Sequence, residues 1–127
     1  MNVVLWIVQA LLAATFGMGG YGKAAMPIAE IAARVPWASA VSPGLMRFIG
    51  IAELAGALGL ILPAATRVLP KLTPLAAAGL LLIMVLAAGF HIQRGETGLL
   101  AVNVVLGALA ALVAWGRWKK APIAPRA

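Results

Sequence analysis

Four apolar runs, residues 3–20, 45–62, 75–90 and 99–118, set the terms on which this chain can fold. Each is about 16 to 20 residues long, which at roughly 1.5 Å per helical residue approaches the roughly 30 Å hydrocarbon core of a bilayer. Backbone amides find no water there, so a segment that crosses must satisfy them internally, and a helix does so. Composition argues against a water-soluble alternative: 64% of residues are hydrophobic, 10% are charged and the mean hydropathy is +1.05, where soluble domains have roughly 45–50% and about 25%. A soluble domain of this length buries only about two-thirds of its surface and would leave much of this apolar area wet. The expected fold is an all-α membrane protein. Four transmembrane helices, about 3–20, 45–62, 75–91 and 98–118, form one bundle over residues 1–127, with a basic tail at 119–127.

The first run has no Lys or Arg ahead of it and continues through Gly17 to Gly20, so it reads as a retained helix rather than a signal peptide. Pro63 is expected to close the second helix, and Pro70 and Pro74 to frame the start of the third. Residues 94–98, Arg-Gly-Glu-Thr-Gly, form a tight polar turn that makes the third and fourth helices a hairpin. Between the first two runs, Pro27 suits the first position of a short helix in which Glu30 stands four residues before Arg34. Ile28, Ile31 and Val35 share one face of it and Trp37 favours the headgroup region, so this helix is expected to lie along the membrane surface.

The net charge of +7 comes from basic residues scattered between and after the apolar runs, which reads as membrane topology and not as a nucleic-acid surface. Arg67, Lys71, Arg117, Lys119, Lys120 and Arg126 fall on the side of the termini, against Lys23, Arg34, Arg47 and Arg94 on the other. This bias places both termini in the cytoplasm, in a membrane of the bacterial cytoplasmic type. Trp6, Trp115 and Trp118 then match the cytoplasmic aromatic belt, and Gln9 reads as a packing residue. The chain has no cysteine, which excludes disulfides and thiolate metal sites, and it carries no Walker A loop, dinucleotide motif or metal-ligand cluster.

One carboxylate stands inside an apolar run. Glu53 would cost roughly 2.5–3.5 kcal/mol at the bilayer centre unless neutralised, paired or turned inward. It lies about eight residues into the second helix, roughly 12 Å from its outer end. His91 closes the third helix at the same side, Asn103 lies about one turn into the fourth, and Tyr21 and Lys23 end the first. Small residues neighbour each one: Gly50, Gly56 and Ala57 near Glu53, Ala87 and Ala88 near His91, Gly107 and Ala110 near Asn103, and Gly17 before Tyr21. Small residues permit close helix approach, so these polar faces are expected to look into the bundle, with Glu53 in reach of His91 or Lys23. Arg47, about 120° around the helix from Glu53, can snorkel outward. Two readings follow: a polar clasp fixing helix order, or an acid and a histidine lining a ligand pocket or proton path.

The chain resembles the DoxX-like family of small four-helix membrane proteins over most of its length. The resemblance rests on Gly-Tyr-Gly-Lys at 20–23, the stretch from Arg47 through Glu53 to Pro63, Thr73-Pro-Leu-Ala-Ala77, and Phe90-His91 with Arg94-Gly-Glu96. It draws attention to Lys23, Arg47, Glu53 and His91. The family takes its name from a subunit associated with archaeal quinone-linked sulfur oxidation, and more distant relatives resemble assembly chaperones and cargo receptors. The resemblance implies an accessory protein or redox subunit; taken with the polar level formed by the helix ends, the leading expectation is a quinone-like or lipid-like amphiphile held in an outward-facing pocket of Glu53, His91, Lys23 and Arg47, with Asn103 and Tyr21 at the same level. A redox partner, or a homodimer through small-residue faces, is compatible with it. Alternative readings are a proton-coupled small-molecule transporter, although small multidrug exporters carry their carboxylate in the first helix, and a structural or assembly partner of another membrane protein.

Overall fold

The computed structural model describes residues 1–35 and 37–126, and all regular structure among them is helical. The long helices are α1 (Asn2–Ala25), α3 (Pro43–Thr66), α4 (Leu72–Arg94) and α5 (Thr97–Trp115), and a short α2 (Ile28–Arg34) lies between α1 and α3. A 3-10 turn at Ala38–Ala40 leads into α3, and a π turn at Gly116–Lys120 extends α5. The four long segments are each long and apolar enough to cross a membrane, which makes this a multi-pass membrane protein in contact with lipid. Both termini lie at one end of the bundle; the opposite end is called distal below.

The helices begin and end where local chemistry directs. Ser42 caps α3 by accepting the Leu45 amide at 3.1 Å, and Pro43 supplies the fixed φ of a first turn. Gly95 ends α4 in the left-handed region, φ 70°, and the Gly95 and Glu96 amides return to the Ile92 and His91 carbonyls. Ile31 is buried in a small cluster with Ala38 and Met46, with Ile28 and Val35 packed against it, so the apolar face expected for α2 is used.

Pro63 does not close α3; the helix continues to Thr66. A proline there removes the amide that would bond the Gly59 carbonyl four residues back. The Thr73 hydroxyl donates to that carbonyl at 2.9 Å instead, so α4 supplies the donor that α3 lacks. Pro74 falls within the first turn of α4, where a missing amide costs no intrahelical bond.

The helices pair as two hairpins, α1 with α3 and α4 with α5. Their close contacts with each other lie toward the termini end. A Cβ built on Gly59 would stand 2.6 Å from that of Ala76, one on Gly56 would meet Leu80, and one on Gly116 would meet Leu5. Leu5, Leu12, Phe16, Leu60, Leu80, Ala110 and Val113 fill this half and are almost wholly buried. Large apolar residues such as Leu11, Met18, Ile51, Leu82 and Val104 point outward on every long helix, as lipid-facing side chains do.

Candidate functional site

Beyond Leu80 and Phe16 the hairpins diverge, and a cavity of about 510 Å³ opens between them in the distal half. Its walls are apolar, with Phe16 from α1, Ile49 and Ala52 from α3, Ile83, Ala87 and Phe90 from α4, and Leu99 and Leu106 from α5. Lys23, Glu53, His91 and Asn103 add polar groups from all four long helices, and Trp37 joins them from the segment ahead of α3. Four of the six expected site residues thus line one space.

Lys23 and Glu53 meet because α1 and α3 touch backbone to backbone one turn away. A Cβ on Gly20 would lie 2.8 Å from the Gly50 carbonyl oxygen and 2.8 Å from the Leu54 nitrogen. That contact draws the Lys23 ammonium to 2.6 Å from Glu53 Oε1, with the carboxylate almost fully buried and the lysine partly so. Removing either partner from such a pair leaves an uncompensated buried charge, at a cost of roughly 3–5 kcal/mol. The ammonium has three donors, of which Glu53 takes one.

His91 turns to Glu96 rather than Glu53, with Nδ1 2.9 Å from Glu96 Oε1. The same oxygen accepts from Arg94 Nε at 2.9 Å, so the α4–α5 turn folds its carboxylate back over the helix end. The His91 hydrogen bond is the largest influence on the Glu96 carboxyl, and with Arg94 it holds the group below its ordinary value although burial, second in size, opposes them. An ionised Glu96 only accepts, so it fixes the ring proton on Nδ1 and leaves Nε2 of a neutral ring as acceptor. Glu96 was not among the expected site residues; its link to His91 spans five residues across a left-handed glycine, a spacing outside helical periodicity.

Asn103 is 8% exposed and its Nδ2 has no hydrogen-bond partner among the described residues. Buried amides are nearly always paired, and an unpaired donor costs roughly 1–3 kcal/mol. Trp37 packs edge-on against both Phe90 and His91, at 6.0 and 5.8 Å between ring centroids, and lies 5.8 Å from the Lys23 ammonium. It therefore contacts both hairpins at the distal end. Its sequence context points only to the headgroup region.

Two expected site residues stand elsewhere. Arg47 donates from Nη1 to the Lys23 carbonyl at 3.1 Å, bonding the last turn of α1 rather than lining the cavity. Tyr21 is 63% exposed on the outside of α1. Gly20 faces α3, and the next residue is turned about 100° away from it.

At the termini end a second polar group was hidden by the reading of basic residues as topology signals. Arg117 is 3% exposed; its Nε donates to Gln9 Oε1 at 2.6 Å and its Nη1 to Asn2 Oδ1 at 2.7 Å. Gln9 in turn donates to the Leu60 carbonyl at 2.6 Å, so the group ties α1, α3 and the end of α5 together. The seven-residue spacing of Asn2 and Gln9, two turns of one helix face, was the available signal.

No curated protein and no solved structure matched the chain. A sequence model described as the DoxX-like family matches residues 7–113, which takes in α3 and α4, most of α1 and α5, and every residue that lines the cavity. On that match, this four-helix membrane chain belongs to the DoxX-like family.

Proposed function

We propose that this protein binds a quinone-like or lipid-like amphiphile between its hairpins and serves as an accessory protein or subunit of a membrane redox system. Its distal end faces outward and both termini lie in the cytoplasm, as the six-to-four bias of basic residues favours. The observation that carries the reading is the buried Asn103 amide left without a partner on an apolar cavity that also presents Lys23 and His91. A ring carbonyl accepts from Asn103 Nδ2 or from a free proton of Lys23, a hydroxyl donates to His91 Nε2, and the apolar walls take the ring and tail. The volume falls in the usual range for small-molecule sites, roughly 300–1,000 Å³.

Purification in mild detergent, solvent extraction and mass spectrometry test this. A retained quinone or lipid near one per protein is expected, and Asn103→Leu should lose it while the helical circular dichroism stays unchanged. Absence of any retained amphiphile, or equal retention by Asn103→Leu, refutes the site. A second reading has its own support: Glu53 is already paired with Lys23, and His91 with Glu96. On that reading the polar groups are a clasp and the protein acts through another membrane protein. Glu53→Gln then loosens the bundle although no ligand was ever held.

A further inference from the structure

Among the described residues, the cations at the termini end have no acidic side chain beside them. The three acids, Glu30, Glu53 and Glu96, lie in the distal half, whereas Arg67, Lys71, Arg117, Lys119, Lys120 and Arg126 lie at the other end. Arg117 is used within the bundle, and Arg67 holds the tail through the Ala124 carbonyl. Lys71 and Lys119 flank something else. Between the start of α4 and the end of α5 runs a shallow groove of about 280 Å³, floored by Pro74, Ala78 and Ala114 and walled by Leu75, Trp115 and Trp118.

Lys119 stands at its rim, and the Lys71 ammonium lies 5.6 Å from the Trp118 ring centroid. Trp115 and Trp118 are about half exposed, as indoles at a headgroup boundary are. Small residues along the floor leave a furrow with apolar walls, and two cations sit where a lipid's phosphate would follow its chain. We infer that this groove is a binding site for an anionic phospholipid of the adjoining leaflet, one acyl chain in the furrow and the phosphate between Lys71 and Lys119. The charge complementarity selects the occupant. A zwitterionic lipid fills the furrow equally well but brings its own cation to a rim that already holds two. This site is independent of the distal cavity and of what binds there.

The test is native mass spectrometry of the protein in micelles carrying equal amounts of dioleoyl phosphatidylglycerol and dioleoyl phosphatidylcholine. The wild type should retain phosphatidylglycerol about thirtyfold in preference, the scale expected of two lysines at an anionic headgroup. K71Q/K119Q should bring the ratio near one, while K120Q/R126Q, with the same loss of charge away from the groove, should keep it. Equal retention of the two lipids by the wild type overturns the proposal. So does an equal fall in both double variants, which would mark diffuse surface charge. If K71Q/K119Q does not fold, K119Q alone decides: a fall in the ratio supports the site, and an unchanged ratio overturns it.

Discussion

Gly50→Ala is the most informative single perturbation, because it adds one methyl where two backbones meet. A Cβ at Gly50 would stand 2.7 Å from the Gly20 carbonyl oxygen and 2.7 Å from the Lys23 carbonyl carbon. Ordinary carbon contacts begin near 3.4 Å, so α1 and α3 must separate by roughly 1 Å. A flexible side chain would yield cheaply, but both obstacles are main chain of a neighbouring helix. Overpacking costs typically 1–3 kcal/mol and occasionally more, and the absence of a rotamer escape puts this case near 3. Glu53 follows Gly50 by one turn, so separation also stretches the 2.6 Å Lys23–Glu53 pair.

Gly79→Ala is the matched control. It is the same chemical change inside a long helix, and among the described residues nothing beyond the adjoining stretch of its own helix lies within 4 Å of the new Cβ. There the gain in helix propensity should stabilise by about 0.5–1 kcal/mol. Unfolding in a mixed micelle, as the fraction of denaturing detergent rises, is followed by circular dichroism and tryptophan fluorescence. The two variants should differ by about 4 kcal/mol, close to a thousandfold in the folding equilibrium. If Gly50→Ala is as stable as Gly79→Ala, the close α1–α3 contact is wrong, and with it the argument for how Lys23 reaches Glu53.

Thr73→Val removes the donor that satisfies the Gly59 carbonyl and should cost about 1–3 kcal/mol. Pro63→Ala restores an amide to that carbonyl, so it should recover much of the loss in the Thr73→Val background; the same unfolding assay checks this, and strict additivity of the two changes would refute the exchange of donors. The Glu96 carboxyl is held below its ordinary value by His91 and then Arg94, so its contribution is full above the unfolded value and is lost as pH falls through the folded one. Stability measured downward from about pH 5 should therefore fall less steeply in Glu96→Gln than in the wild type, and identical slopes would show that the turn does not depend on this carboxylate.

Apolar run length was enough to place four helices, because in a bilayer the backbone leaves few alternatives to a helix. Their ends ran further than the apolar residues did. Lys23 and Arg94 fall inside helices whose last turns are satisfied by Arg47 and by the amides of Gly95 and Glu96. Pro63 misled for a related reason: the sequence shows that an amide is missing, but not that a threonine on another helix replaces it. Among the site residues, Glu53 was legible from its small neighbours on one helix face and Lys23 from its level at the end of α1, whereas the same argument from small neighbours turned Tyr21 inward and the His91–Glu96 link depends on a turn. Arg117 was obscured doubly, since a basic residue near a terminus serves topology well and the π turn shifts its helical phase.

The placement of polar contacts explains why the hairpins diverge at one end only. At the termini end, the bonds run between hairpins: Thr73 of α4 to Gly59 of α3, and Arg117 beyond α5 to Asn2 and Gln9 of α1. Both seams are closed there by groups that hydrocarbon cannot satisfy. At the distal end, Lys23 with Glu53 joins α1 to α3, and His91 with Glu96 holds the α4–α5 turn, so each pair locks a hairpin internally and adds nothing to the seams. Among the described residues, Trp37 alone has ring contacts to both sides there, through Lys23 and through Phe90 and His91. Such contacts are worth roughly 0.5–1.5 kcal/mol each, less than the loss of one buried ion-pair partner. The distal seams are therefore the ones that open at least cost, and under the proposed function an amphiphile entering from the bilayer would displace an indole rather than break a salt bridge.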